Sequence, residues 1–288
     1  MPIGAVDLSG LSGGSSSALT NARFSAEPAF QDVLGGVALS KGAKGPAVGI
    51  LQTALLDMGF AMRPYKGSSG KMVGGIDSDF GGQTERALKN FQRHAQHLIP
   101  SVVVNGKLDA KTLAALDALA PAAGKKAWAP GQYPAAPNPY WNGDVNKPLR
   151  VVVVKDEHRT YLFDAQGEVS AIYSNSVGAA GSSTVKGLKL VNSKLDQAAA
   201  EATGQKLWKD KKAFGLRIID LIWATGSKSG QELHGTFADD QMGQDVSHGC
   251  IRHYNADILE LFAAVKKGDR VAVVDRLDAP ELGSPINV

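Results

Sequence analysis

The chain has a single cysteine, Cys250, and it lies among residues that could carry out nucleophilic chemistry. His248 stands two residues before it and His234 sixteen residues before it. A lone cysteine cannot form an intramolecular disulfide, so it serves packing or reactivity. Its neighbours Ser247 and Gly249 are small, whereas a structural thiol is usually surrounded by apolar side chains. The pattern favours a reactive thiol.

A nearby imidazole would make such a thiol useful at neutral pH. A free thiol has a pKa of about 8.5, and a neighbouring histidine raises the small thiolate fraction. Gly249 lets the backbone approach a substrate and lets amide N–H groups converge on an oxyanion. Two alternatives stay open. Cys250 could be a small buried residue, or it could bind zinc with His234, His248 and His253, although one thiolate without a C-x-x-C pair matches no common structural zinc pattern.

The two motifs together resemble the signature of L,D-transpeptidases, the YkuD-type catalytic domain. They are His234-Gly235-Thr236 and Ser247-His248-Gly249-Cys250-Ile251-Arg252. The resemblance implies that Cys250 is the acylated nucleophile and His234 the base, oriented by a group around Gly235 and Thr236.

The same resemblance assigns roles to the turn around the cysteine. It implies oxyanion donors from the turn Ser247–Cys250, with Gly249 at its centre, and a substrate or turn contact from Arg252. His248 is the histidine of the motif that stands beside the nucleophile. His253 lies outside the signature and is interpreted as incidental.

Length and composition place limits on the rest of the chain. Its 288 residues allow two ordinary domains, and a hydrophobic content of 43% supports packed cores. A net charge of +3, from 31 basic and 28 acidic residues, does not indicate a nucleic-acid partner. No apolar stretch has the length that a membrane span needs.

Residues 1–37 are rich in Gly, Ser and Ala, which predicts a flexible N-terminal segment. The first residues lack the basic start and apolar core of a secretory signal. Two explanations stay open, a trimmed leader and export by a route without one. The second leads to the hypothesis of an antibacterial effector, delivered by a system such as type VI secretion and paired with an immunity protein.

Residues 38–120 have a helical period and predict a small three-helix domain. Asp109 is placed to cap the third helix. Gly42 to Val48, Asp79-Phe80-Gly81, Phe91-Gln92 and Asn105-Gly106 resemble the peptidoglycan-binding-domain-like repeat of wall enzymes. The segment 61–78 is longer than the usual link of that family.

The remaining residues predict a linker, a catalytic domain and a tail. Repeated prolines and aromatics over 121–147 indicate a semi-rigid linker. Residues 148–276 contain runs that are typical of strands and hairpins, which predict an antiparallel sheet with a helical insertion at 194–213. That insertion is either surface decoration or a lid. Residues 277–288 form the tail, and the fold class is α+β, a helical bundle before a mainly β domain.

The resemblance implies cysteine-dependent acyl transfer on peptidoglycan stem peptides in the periplasm or cell wall. An amine acceptor gives a 3–3 crosslink or D-amino-acid exchange, and water gives an L,D-carboxypeptidase or endopeptidase. It also implies acylation by carbapenems and no metal or organic cofactor. The competing hypotheses are that the protein is a non-catalytic wall-binding protein or a zinc enzyme.

Overall fold

A computed structural model describes residues 18–132 and 136–283. The chain divides into two compact units, with the boundary between residues 136 and 137. The first unit is helical and the second contains the large sheet. An α+β chain, with helices before a mainly β domain, is therefore confirmed. None of the described helices is long and apolar enough to pass through a membrane.

The first unit contains the three predicted helices and more. The side chain of Asp109 accepts from the backbone N–H of Thr112, so the predicted cap is present. The long segment 61–78 holds a short antiparallel hairpin, β1 and β2. The elements are α1 (Ala22–Ser25), α2 (Pro28–Leu34), α3 (Pro46–Asp57), β1 (Tyr65–Lys66), β2 (Met72–Val73), α4 (Gly82–Leu98) and α5 (Ala110–Leu119).

The predicted flexible segment 1–37 is wrong for its second part. Residues 1–17 lie outside the described residues, but residues 18–37 carry α1 and α2. Phe24 and Phe30 are fully buried and meet edge to face at 5.6 Å. Arg23 is buried against Asp57, with its guanidinium 2.7 Å from the carboxylate. Two aromatic anchors and a buried ion pair hold this segment on the helical unit despite its low-complexity start.

Two buried glutamines organise the helical unit in the same way. Gln92 of α4 donates to Asn105 Oδ1, Lys107 O and Thr112 Oγ1, and accepts from the N–H groups of Asn105 and Gly106. Gln52 of α3 makes the equivalent set of bonds to the loop and helix that follow it. Each amide therefore ties a helix to the next loop and the next helix start.

Replacing Gln92 with alanine is expected to destabilise the helical unit by about 3 kcal/mol, because five hydrogen bonds lose a fully buried partner. Hydrogen exchange of the α4 amides measures the loss. Lys111→Ala is the control, since Lys111 is exposed on α5 of the same unit and should change stability by less than about 0.5 kcal/mol. Equal effects in the two variants would contradict this account.

The second unit is built on strands. It begins with a single-turn helix at Trp141–Gly143, and another lies at Asp239–Gln241 and a third at Pro280–Leu282. The remaining elements are β3 (Val151–Val154), β4 (Arg159–Phe163), β5 (Val169–Gly178), β6 (Gly187–Leu195), α6 (Gln197–Trp208), β7 (Ile218–Trp223), β8 (Lys228–Thr236), β9 (Asp245–Ser247), β10 (Ile251–Tyr254), α7 (Asn255–Ala264) and β11 (Arg270–Val274).

These strands form one sheet that closes on itself. The order is β10-β8-β7-β6-β11-β3-β4-β5-β9, and β10 also pairs with β5. The expectation of antiparallel pairing is only partly correct, because β10–β8, β11–β3 and β5–β9 are parallel. Parallel neighbours need a connection that returns to the same end of the sheet, and the connection from β8 to β10 contains the single turn Asp239–Gln241 and β9.

The main hydrophobic cluster of this unit takes alternate residues of the strands, as the two-residue period of a strand requires. The strands β3 and β4 are buried on both faces. The predicted tail is also wrong in part, since Leu277 and Leu282 are buried. The buried core residues include Val153, Val191, Leu221, Leu233, Ile251, Ile258, Leu261 and Val271.

Candidate active site

The parallel pair β8–β10 brings the two sequence motifs together. Arg252 lies directly opposite His234, and Ile251 lies opposite Leu233. Cys250 immediately precedes β10, in the turn that follows β9. Residues two apart on a strand share a face, so Cys250 and Arg252 face the same side as His234. The structure therefore places the predicted nucleophile and the predicted base on neighbouring strands.

His234 is held by contacts on two sides. Its Nδ1 lies 2.7 Å from the carbonyl oxygen of Gly235. Because a carbonyl only accepts, Nδ1 carries the hydrogen and Nε2 is the basic nitrogen. The ring of Phe214 packs edge-on against the imidazole at 5.0 Å. Burial lowers the pKa of His234 to about 4, with a smaller lowering from the charge of Arg252.

Gly235 is required by the close approach of α7 to β8. A Cβ atom at this position would lie 2.3 Å from Asn255 Oδ1. That same oxygen accepts the N–H of Leu216 at 3.0 Å, so it cannot move away freely. Thr236, the other residue expected to orient the base, instead accepts the backbone N–H of Ala238 through its hydroxyl at 3.0 Å. The carbonyl of Gly235 is thus the group that orients His234.

The turn before Cys250 is fixed by side chains. Gly249 has φ +112°, a conformation that glycine adopts readily. Its carbonyl accepts from Thr184 Oγ1 at 2.9 Å and from Gln231 Nε2 at 3.0 Å. The hydroxyl of Ser247 accepts the N–H of Gly249 at 3.1 Å and donates to the carbonyl of Cys250 at 2.6 Å. Ser247 therefore shapes the turn.

The other motif residues are spread around this turn. His248 is exposed, and its ring lies 5.0 Å from that of Trp208, at the end of α6. The predicted insertion 194–213 is therefore a helix that reaches the turn carrying the cysteine. Arg252 donates to Gln241 Oε1 at 2.7 Å, which ties β10 to the loop between β8 and β9.

His253 is not incidental, because it is completely buried beneath the site. Its Nε2 lies 2.9 Å from Thr160 Oγ1, which also accepts from Asn175 Nδ2 at 2.9 Å. Burial lowers the pKa of His253 to about 3, and the neighbouring charge of His234 acts in the same direction. The sequence did not predict the burial of His253, because that burial depends on the pairing of β10 with β5 and β8.

The thiol itself contacts a residue that the sequence did not single out. Cys250 Sγ donates to Glu232 Oε2 at 3.1 Å. Burial, with a smaller contribution from the carboxylate of Glu232, raises the pKa of the thiol to about 12. Burial also raises the pKa of Glu232. The resting thiol is therefore protonated at neutral pH.

The zinc alternative requires the three histidines and the cysteine to converge, and they do not. His253 faces Thr160 from inside the core, while His248 lies outside against Trp208. Across residues 18–132 and 136–283, no three His, Cys, Asp or Glu side chains are grouped so that they could hold a metal ion.

Comparison with known proteins agrees with this architecture. Residues 148–273 match the family model of the L,D-transpeptidase catalytic domain, and residues 44–116 match that of a putative peptidoglycan-binding domain. Both matches fall on the parts of the chain whose motifs resemble these two families.

Individual relatives cover different parts of the chain. A putative L,D-transpeptidase YkuD from Bacillus licheniformis is 43% identical over 51 residues, which are 18% of this chain and 31% of that protein. The chain therefore spans less than a third of this relative. A putative L,D-transpeptidase YqjB from Bacillus subtilis is 25% identical over 51% of this chain and 78% of its own length. A crystal structure of an L,D-transpeptidase from Xylanimonas cellulosilytica has 22% identity and a TM-score of 0.45, covering 82% of this chain and 97% of that one.

Proposed function

We propose that the protein is a cysteine-dependent L,D-transpeptidase that acts on peptidoglycan stem peptides. The observation that carries the proposal is that Cys250 precedes β10 and His234 lies two residues further along the register on the adjacent strand β8, inside a segment that matches the family model. The sulphur of Cys250 attacks the carbonyl that joins the third residue of the stem, a meso-diamino acid, to the terminal D-Ala. A thioester forms and D-Ala leaves.

His234 is the proposed base of this first half-reaction. Its lowered pKa keeps the imidazole neutral at physiological pH, and the hydrogen on Nδ1 leaves Nε2 as the nitrogen that accepts a proton. Acylation needs the thiol to turn from Glu232 toward this nitrogen. The proton then passes to the nitrogen of the leaving D-Ala, which returns His234 to its neutral form.

The backbone N–H of Cys250 is the proposed oxyanion donor. Two donors fix the carbonyl of Gly249 on one side of the turn. In a trans peptide the carbonyl and the following N–H point in opposite directions, and the described residues contain no cis bond. The N–H of Cys250 is thereby aimed away from Thr184 and Gln231. A fixed donor at this position would stabilise the tetrahedral oxyanion.

The acceptor decides which product forms. An amine resolves the thioester into a 3–3 crosslink or exchanges a D-amino acid, and water makes the enzyme an L,D-carboxypeptidase or endopeptidase. Trp208 at the end of α6 stands over His248 and is half exposed. We place the acceptor on this side of the turn, where α6 acts as a lid that limits access of water.

The helical unit is the proposed wall-binding module, which would hold the enzyme in the cell wall or periplasm. The domains assigned are residues 38–120 for binding, 121–147 for the linker and 148–276 for catalysis. The antibacterial-effector role, with its secretion apparatus and immunity protein, stays a hypothesis from the sequence.

Substitution of Cys250 by alanine is expected to abolish acylation, because no other thiol exists in the chain. Intact mass after incubation with a carbapenem tests this, since the strained β-lactam amide mimics the acyl donor. The wild type should gain one drug mass and Cys250→Ala none.

Thr225→Ala is the folded control for this experiment, because Thr225 is an exposed loop residue, and it should acylate like the wild type. Muropeptide analysis with a disaccharide tetrapeptide then separates transfer from hydrolysis. If the folded wild type forms neither a drug adduct nor a thioester with the tetrapeptide, the proposed enzymatic function is wrong. The hypothesis of a non-catalytic wall-binding protein would then be favoured.

A further inference from the structure

Glu232 lies beside the nucleophile as a consequence of strand register. Ile251 pairs with Leu233 across the parallel strands β10 and β8, so the preceding residues, Cys250 and Glu232, are also neighbours. The contact between them is a hydrogen bond of 3.1 Å from the thiol to Oε2. No other hydrogen-bond or ion-pair partner of the Glu232 side chain is present among the described residues.

The carboxylate faces the side of the sheet that is open to solvent. Glu232 is opposite Asp220 of β7, and Asp220 Oδ2 accepts from Asn192 of β6 at 2.7 Å. Together with Cys250 these residues form a row of partly exposed polar groups across four adjacent strands. The residues between them point into the core, namely Val191, Leu221, Leu233 and Ile251.

The environment of Glu232 makes it a stronger base than an exposed carboxylate. Burial raises its pKa, the hydrogen bond from Cys250 lowers it, and the charge of Asp220 raises it. From β10 the nearby charged group is Arg252, and on its own strand the nearby titratable group is His234. Acylation of Cys250 removes the thiol hydrogen, and with it the hydrogen bond that lowers the pKa of Glu232. The carboxylate therefore gains proton affinity when the thioester is present.

We propose that Glu232 is a catalytic residue of the second half-reaction, in which it takes the proton of the acceptor that attacks the Cys250 thioester and returns that proton to the sulphur. The proposal rests on the acyl-transfer function proposed above. It divides the proton transfers between two residues, with His234 serving acylation and Glu232 serving deacylation.

The step balances without any further reactant. A neutral amine attacks the thioester carbon, a C–N bond forms, and one N–H proton moves to the Glu232 carboxylate. The C–S bond breaks, and the departing sulphur takes the proton from the carboxylic acid. The products are an amide, a thiol and an ionised carboxylate. Water follows the same course and yields a carboxylic acid.

The hydrogen bond between Cys250 and Glu232 in the structure corresponds to the state at the end of this step. A thiol that donates to an ionised carboxylate is what remains after the carboxylic acid has protonated the leaving sulphur. In the described residues, the thiol donates to Glu232 and not to the imidazole of His234. The geometry thus assigns the last proton transfer of the cycle to Glu232.

The test separates acylation from deacylation in Glu232→Gln, which keeps the size of the side chain and removes the base. Each enzyme is mixed with a disaccharide tetrapeptide and D-methionine as the amine acceptor. Intact mass reports the thioester and chromatography reports turnover. In Glu232→Gln the thioester should accumulate while turnover falls by about 100-fold, at the low end for loss of a general acid–base group. In His234→Gln the thioester should not form.

A second variant and a measurement of folding complete the test. Glu232→Ala should recover part of its turnover when formate is added, because the small carboxylate occupies the vacated space. Thermal melting verifies that the variants fold. Wild-type turnover in Glu232→Gln would overturn the role of Glu232. The role would also be overturned if Glu232→Gln lost turnover without accumulating the thioester and formate did not rescue Glu232→Ala. A wild type that never forms the thioester overturns the proposed function instead.

Discussion

Lowering the pH from 6.5 toward 4 is expected to destabilise the strand-rich unit by several kcal/mol, because two buried histidines must take up protons. The folded-state pKa of His234 is about 4 and that of His253 about 3, both below the ordinary value of 6.5. The unfolded chain therefore binds more protons than the folded chain in this window, and stability falls as the pH falls. Above pH 6.5 the stabilisation is complete.

The size of the effect follows from the pKa differences. One pKa unit corresponds to about 1.4 kcal/mol, so the lowering of His234 from 6.5 to about 4 represents roughly 3 kcal/mol. His253, lowered to about 3, represents somewhat more. Such a total is comparable to the whole stability of many domains. Acid unfolding should therefore begin well above the pH at which exposed carboxylates protonate.

The difference between wild type and His253→Gln isolates one of the two groups. Glutamine can still hydrogen-bond Thr160 but does not titrate. Urea unfolding at pH 7.5, 6.5, 5.5 and 4.5 gives the slope of stability against pH. The slope of the variant should be smaller by about 1.4 kcal/mol per pH unit below pH 6.5. Identical slopes would show that His253 is not buried in its neutral form.

The local chemistry of the site could be predicted from the sequence because it depends on short spacing. Cys250 and its turn are contiguous in the chain, and the β-branched run Val151–Val154 forms the buried strand that its composition predicts. Asp109 caps its helix because the interaction spans only three residues. In each case the partners are close in sequence.

The positions of Glu232 and His253 depend on long-range strand pairing, which the sequence pattern did not predict. Glu232 is one of many acidic residues in the chain, and its contact with Cys250 exists only because β8 and β10 are parallel and in this register. His253 looked incidental for the same reason, since its burial comes from pairing with β5 as well as β8. A pattern of hairpins predicts antiparallel neighbours. It contains no signal for parallel strands separated by loops and a helix.

The prediction of a flexible segment failed for a different reason, because it depended on average composition. The Gly- and Ser-rich start indicated a flexible segment through residue 37, but Phe24 and Phe30 bury fully within it. A window that averages composition dilutes two aromatic anchors among small residues. The two phenylalanines are six residues apart and lie on consecutive short helices. A search for one continuous helical period does not detect two such short helices.

Glu157→Gln is expected to destabilise the strand-rich unit by about 3–5 kcal/mol, because it removes the carboxylate charge that pairs with a fully buried guanidinium. Glu157 and Arg159 are both inaccessible to solvent, and Oε2 of Glu157 accepts from Nε at 3.0 Å and from Nη2 at 2.7 Å. The same oxygen accepts the hydroxyl of Tyr161 at 2.8 Å. A neutral amide in this position cannot offset the buried positive charge.

A paired substitution distinguishes the cost of an unpaired charge from the cost of lost packing. Glu157→Leu combined with Arg159→Met removes both charges, so it should destabilise less than Glu157→Gln alone, although it changes more atoms. Glu168→Gln is the surface control, since Glu168 is exposed and should shift stability by less than about 0.5 kcal/mol. Urea unfolding at pH 7.5 provides the comparison. If the double variant were the less stable of the two, shape and hydrogen bonding would be the main contribution of this buried pair, and charge balance would be secondary.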